Sequence, residues 1–179
     1  MFRMLKQRIN DIRTINSLCL SAERHANADG EKEPGLEHFV LAALDLPDCT
    51  ARKAFERLGA DPDGFRAAVA AHYRNALKSV GVDTPEQMIS YGAAGDIPPG
   101  NGLYRSKHQV KEFMQRLANR KMKDGARPLL GAHVLETAAG FEHGVASRTF
   151  ATMGIHRQAM GEAARAEAEK EGQREAESA

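Results

Sequence analysis

Seven histidines and two cysteines are the residues of this chain best suited to metal or nucleophile chemistry. A zinc site needs converging imidazole, thiolate or carboxylate ligands, and its usual signatures place at least two of them a few residues apart. Cys19 and Cys49 form no CxxC pair and no disulfide framework, which predicts a reducing compartment and two cysteines without a special role. There is no HExxH helix, no GxSxG elbow and no glycine-rich phosphate loop ending in Gly-Lys-Ser/Thr. His38 and His133 stand apart, because they recur at matching places in two otherwise divergent stretches. They can be read as two metal ligands facing each other across an axis. The alternative puts each in the first turn of a helix, with a ring nitrogen bonding a neighbouring loop carbonyl, since buried polar groups need partners. No carboxylate or thiolate lies at ligand spacing, so the second reading is preferred. The sequence thus predicts no metal, no cofactor and no catalytic residue; an enzyme acting in a cleft between the two stretches ranks last among the functional readings.

A second candidate is electrostatic. Residues 105–127 carry eight Lys or Arg against Glu112 and Asp124. Such a stripe suits a nucleic acid or an acidic partner, but only Tyr104 and Phe113 supply aromatic rings for stacking. The bland reading is the solvated face of an amphipathic helix. A formal net charge of +1 also argues against a bulk electrostatic partner. No apolar run is long enough to span a bilayer, and no continuous apolar segment follows the basic start, so the expected location is cytoplasmic and away from membranes.

The elements that must position these residues read as helices throughout. Ile9, Ile12, Ile15, Leu18, Ala22 and Ala26 recur at spacings of three and four, the stripe of one long amphipathic helix ending near Asp29-Gly30. The apolar run Leu36–Leu44 is read as a short buried helix. A third helix follows Asp48 as N-cap, buries Ala51, Ala54, Phe55 and Leu58, and stops at Gly59. Asp61-Pro62 has the N-cap and first-turn form that opens a fourth. Residues 81–104, with five glycines and three prolines, break the texture and read as a linker. Ser106 and Gln109 then have the form of a capping box opening a second long helix, and the same order of elements returns. The acidic end, 166–179, is expected to extend the last helix and fray.

The return is in register. A shift of 95 positions brings His38 onto His133, Ala43 onto Ala138, Ala51 onto Ala146, Phe55 onto Phe150 and Gly59 onto Gly154. Caps and core positions coincide together, which points to an internal duplication. The predicted fold is all-α: two pseudo-symmetric four-helix repeats, residues 5–75 and 103–165, packed as one domain of about eight helices.

The run Gly35-Leu36-Glu37-His38-Phe39-Val40-Leu41-Ala42-Ala43-Leu44, followed by Ala51-x3-Phe55-x2-Leu58-Gly59-Ala60-Asp61, resembles the N-terminal double-repeat domain of the Clp/Hsp100 unfoldases. In that family a Glu-His pair opens the second helix and a Leu-Gly-x-Asp turn separates the third from the fourth. The second copy matches less well, with Ala132-His133 and Met153-Gly154-Ile155-His156 at those places. The resemblance implies a domain that receives adaptors and substrates, here without the ATPase rings it normally serves. The expected function is therefore a non-enzymatic protein- or peptide-binding module linked to Clp-type proteolysis or chaperone action. In some relatives the glutamate before this histidine, preceded by threonine, helps bind phosphorylated arginine. Leu36 and Ala132 depart from that pattern, which leaves Glu37 as an acid complementing a helix N-terminus. The expected partner-binding residues are Glu37 and, in the linker, Met88, Ile89 and Tyr91, apolar side chains that a pure spacer would not need. That segment is expected to lie over a groove along the seam between the repeats.

Overall fold

The computed structural model describes residues 2–79, 108–124 and 127–177. They form eight α-helices and, among the described residues, no strand. In the first half these are α1 (Phe2–Ala28), α2 (Leu36–Leu44), α3 (Thr50–Arg57) and α4 (Gly64–Ser79). In the second they are α5 (His108–Asp124), α6 (Gly131–Ala139), α7 (Val145–Thr152) and α8 (Arg157–Glu177). Met88, Ile89, Tyr91 and Ser106 lie outside the described residues.

The 95-residue shift carries the bounds of α2 onto those of α6 and the bounds of α3 onto those of α7. The turns agree as well. Gly59 and Gly154 both adopt positive φ, 68° and 72°. After each, a backbone N–H reaches five residues back along the helix end, Ala60 to the Phe55 carbonyl and Ile155 to that of Phe150. A side chain with a Cβ resists this left-handed conformation, so glycine is the residue that ends both helices.

The halves interlock rather than stand side by side. α4 packs on α7, α3 packs on α8, and α2 crosses α6. One hydrophobic core results, drawn from both halves. The seam, where a groove is expected, is filled by Phe55, Phe65 and Phe150, all fully buried, with ring centroids 5.5–6.2 Å apart. Aromatic rings at that spacing stack tilted or edge-on and exclude water, so the seam itself offers no room.

Three expectations need correction. Leu18, Ala22 and Ala26 are buried as the stripe requires, but Ile9 and Ile12 are 45% and 58% exposed, because α1 runs on past the core it covers. The acidic end does not fray within the described residues: α8 continues to Glu177, with Ala163, Ala164, Glu167 and Ala168 buried. Its glutamates meet cations on α3, Glu167 with Arg57 at 2.9 Å and Glu171 with Lys53 at 3.9 Å. Asp61 caps a turn, accepting from the Asp63 N–H at 3.0 Å, and α4 begins after it at Gly64.

Candidate functional site

The two buried histidines locate the places where chemistry concentrates, the entrances to α2 and α6. Each occupies the third position of its helix, where a glutamate or glutamine more commonly reaches back to the N-cap amide. The Gly35 N–H donates to His38 Nδ1 at 2.8 Å, and the Leu130 N–H to His133 Nδ1 at 3.0 Å. The partner is thus a backbone amide, not the loop carbonyl expected from sequence. An imidazole that accepts at Nδ1 carries its proton on Nε2 and donates from there. His38 does so toward Asp29 Oδ2 at 3.2 Å. The two rings are separate capping devices, one per half. No group of three or more His, Cys, Asp or Glu suited to a metal occurs among the described residues.

Around His38 the first half is closed by side chains. Glu37 is 2% exposed, and its carboxylate folds back over Gly35, where a Cβ would sit 2.2 Å from Oε1. The Tyr73 hydroxyl stands 3.1 Å from Glu31 and 3.2 Å from Glu37. Burial, then the two carboxylates, push the Tyr73 phenol far above its ordinary range, so it remains a donor. Arg66 pairs with Asp29 at 2.9 Å and also meets the His25 ring. Glu37 therefore belongs to an internal network and is turned away from the surface.

Ser21, His25 and Asp45 have the residue types of a hydrolytic triad but not its order. Ser21 Oγ and His25 Nε2 both bond Asp45 Oδ2, each at 2.7 Å. A working triad needs the hydroxyl on the imidazole and the carboxylate behind it. Burial lowers the His25 pKa below its ordinary value, outweighing the bond to Asp45. For Asp45 burial alone would raise the pKa, and the bonds from Ser21 and His25 reverse that and lower it. Burial, with Glu23 beside it, pushes the Cys19 thiol up to about 11, which keeps it protonated and a poor nucleophile.

The entrance to α6 is built differently. Its first amides are capped from the other half: Gly131 N–H donates to Asp48 and Ala132 N–H to Thr50 Oγ1, at 3.1 and 2.8 Å. Asp48, expected as the N-cap of α3, takes the Thr50 N–H as well, at 2.9 Å, and so serves two helices. Beside this entrance lies a cleft of about 90 Å³ lined by Arg120, Arg127, Leu130, His133, Arg165 and Ala168, among others. Glu136, buried on α6, takes Arg120 at 2.5 Å and Arg165 at 3.0 Å on its Oε1.

Three cations of the basic stripe pair with acids of the chain itself. Arg116 pairs with Glu112 at 2.6 Å and lies over the Phe141 ring, Arg120 meets Glu136, and Lys121 meets Asp11 at 3.0 Å. Gln109 donates to the His143 carbonyl at 2.5 Å; its expected capping-box partner, Ser106, lies outside the described residues. A face whose cations are already paired is a weak grip for a phosphate backbone. No helix among the described residues is long and apolar enough to cross a membrane.

Compared with known proteins, the sequence matches no family model and no curated relative.

Proposed function

We propose that this chain is a Clp N-domain-like protein-binding module, cytoplasmic and without an enzymatic activity of its own. It binds a protein or peptide as an adaptor or regulator of Clp-type proteolysis or chaperone action. Agreement between the halves supports this reading: the bounds of α2 and α3, the two capping histidines and the two glycine turns follow one shift of 95 residues.

The observation that carries the reading is on α1. Ile9, Ile12 and Leu20 are 45%, 58% and 61% exposed. At 3.6 residues per turn these three fall on one side of the helix and Leu18 and Ala22 on the other. An apolar ridge on one long helix is the surface that a partner segment covers when it packs along it. About half of each of these side chains is already covered, so burying the rest on binding is worth roughly 1 kcal/mol for each.

The test uses a permanently unfolded, fluorescently labelled polypeptide as probe, read by anisotropy. The wild-type chain is expected to bind it saturably, and Ile9→Asp with Ile12→Asp to weaken binding at least tenfold with an unchanged melting temperature. Both positions are exposed, so the fold tolerates the change. Equal binding by the double variant would sink the reading.

A further inference from the structure

The outer face of α1 carries charge of one sign beside its apolar ridge. Between Gln7 and Ala22 the helix holds three charged residues, Arg8, Asp11 and Arg13. Asp11 is turned inward and engaged there: it takes the Leu129 N–H at 2.9 Å, the Gln7 amide at 3.1 Å and Lys121 at 3.0 Å. Asp11 and Lys121 cancel. Arg8 and Arg13 are exposed, and neither pairs with an acid among the described residues.

Helical geometry sets these cations on both flanks of the ridge. At 3.6 residues per turn, Arg8 and Arg13 lie about 70° to either side of the line midway between Ile9 and Ile12. Asn16 and Leu20, both exposed, carry the same face onward, so the ridge from Ile9 to Leu20 is about 16 Å long. Toward its far end the charge is nearer balance. Arg24 is exposed there, but Glu23 adjoins it and Asp45 lies within its electrostatic reach. The positive excess therefore sits around Ile9 and Ile12.

We propose that the occupant of this ridge is an acidic amphipathic helix of a partner protein. Its apolar stripe would cover Ile9, Ile12 and Leu20, and its Asp or Glu side chains would meet Arg8 and Arg13 along the edges. This rests on the reading of α1 as the docking surface and names the class of partner. Charge complementarity at the rim of an apolar contact selects such a partner and disfavours a basic one. An extended segment has no sheet edge to join among the described residues, whereas a helix lies along another helix with its own backbone already bonded. A second copy of this chain would bring the same arginines to the contact. A lipid surface takes a broad apolar face, and this one is interrupted by Asn16.

The experiment is fluorescence anisotropy with labelled amphipathic peptides of about 18 residues, some five helical turns. One has leucines along a single stripe and glutamates on both edges; the other has glutamine at every glutamate. At low salt the wild type is expected to bind the acidic peptide about three- to tenfold tighter, with the difference closing near about 0.5 M salt. Arg8→Gln with Arg13→Gln is expected to bring the two affinities within about twofold of each other. Ile9→Ser with Ile12→Ser, which removes apolar surface without adding charge, is expected to weaken both peptides about fivefold or more. All four positions are exposed, and melting temperatures check that the variants stay folded. Equal binding of the two peptides by wild type would overturn the proposal and leave the ridge a protein-binding surface without charge preference. So would binding of the unfolded polypeptide but of neither peptide. An acidic-peptide affinity untouched by the serine variant would overturn it too, since the arginines would then act without the ridge. A dimer in sedimentation that the serine variant abolishes would give the ridge to a second copy instead. Failure of the unfolded polypeptide and both peptides alike would remove the docking surface itself.

Discussion

The entrances to α2 and α6 begin with the same histidine cap and end as opposites, one plugged and one open. At α2, a glycine, a glutamate and a tyrosine close on one another, and each change depends on the others. Glu37 can fold inward only because Gly35 leaves room, and its buried carboxylate is tolerable because Tyr73 donates to it. At α6, leucine and alanines stand at those places and arginines line the walls. The backbone device survives in both halves while the side chains around it have taken opposite charge. A helix entrance can thus keep its cap while the side chains around it change in size and charge.

The comparison breaks first at the shared core. Phe55 and Phe150 are fully buried and in contact across the seam, so Phe55→Ala and Phe150→Ala are each expected to cost about 3–5 kcal/mol. Urea unfolding checks this. Similar losses would mean the halves contribute alike to one core, whereas a loss below 1 kcal/mol at either site would mean that half carries little of it.

A smaller and unequal effect is expected at the glycine and its neighbour. An alanine Cβ at Gly131 would lie 2.9 Å from the Ala43 carbonyl and 3.2 Å from Ala51, backbone and packed core that cannot step aside. Gly131→Ala is therefore expected to destabilise by about 1–3 kcal/mol. At Gly35 the obstacle is the end of the Glu37 side chain, which can swing away at the loss of its bond from Tyr73. Gly35→Ala should cost about 1 kcal/mol. Thermal unfolding of the pair measures the difference, and a costlier Gly35→Ala would show that the plug matters more than the crossing of α2 and α6.

The smallest effect is the acid response, and it should arise in the first half. The lowered pKa of His25 means that the unfolded chain takes up a proton near pH 6.5 before the folded chain does. The unfolded state binds more protons there, so stability falls as the pH drops below about 6.5 toward the folded value. Asp45, with its pKa lowered from 3.8, adds stability that is present above that pH and lost as the pH falls through its folded value. The corresponding residues of the second half are Arg120 and Gly140, neither a histidine nor a carboxylic acid. Stability measured from pH 7.5 to 5 should decline, and His25→Gln should flatten the decline; an unaltered slope would remove His25 as its source.

Much of the fold was legible because it is local. The run of apolar residues from Leu36 to Leu44, the glycines that stop α3 and α7, and the repeat register are all written in short stretches of chain, and the structure has helices with those bounds. The candidate site was legible only in its histidines. That Asp48 caps a helix of the other half as well as its own follows from the crossing of α2 and α6, which no local pattern encodes. The arginine cleft was hidden for a similar reason. Arg120 and Arg165 come from different helices, and their meeting at Glu136 depends on how α5 and α8 flank α6. The same stripe on α5 read as a free basic face because its partners, Asp11 and Glu136, lie far away in the chain. Exposure of Ile9 and Ile12 was likewise invisible, since periodicity reports an apolar face without saying whether anything covers it.

The bonds from Asp48 and Thr50 to the first amides of α6 also tie the histories of the two halves together. Here the loop that follows α2 is part of the structure of α6, so a substitution at Asp48 is felt 83 residues away as well as in its own half. The counterparts of Asp48 and Thr50 in the second half, His143 and Val145, cannot return the service with a carboxylate or a hydroxyl. The dependence therefore runs in one direction. Drift in the second half can proceed around a cap it does not own, which leaves its entrance open to new side chains, while the loop after α2 is held in place by a helix it does not belong to.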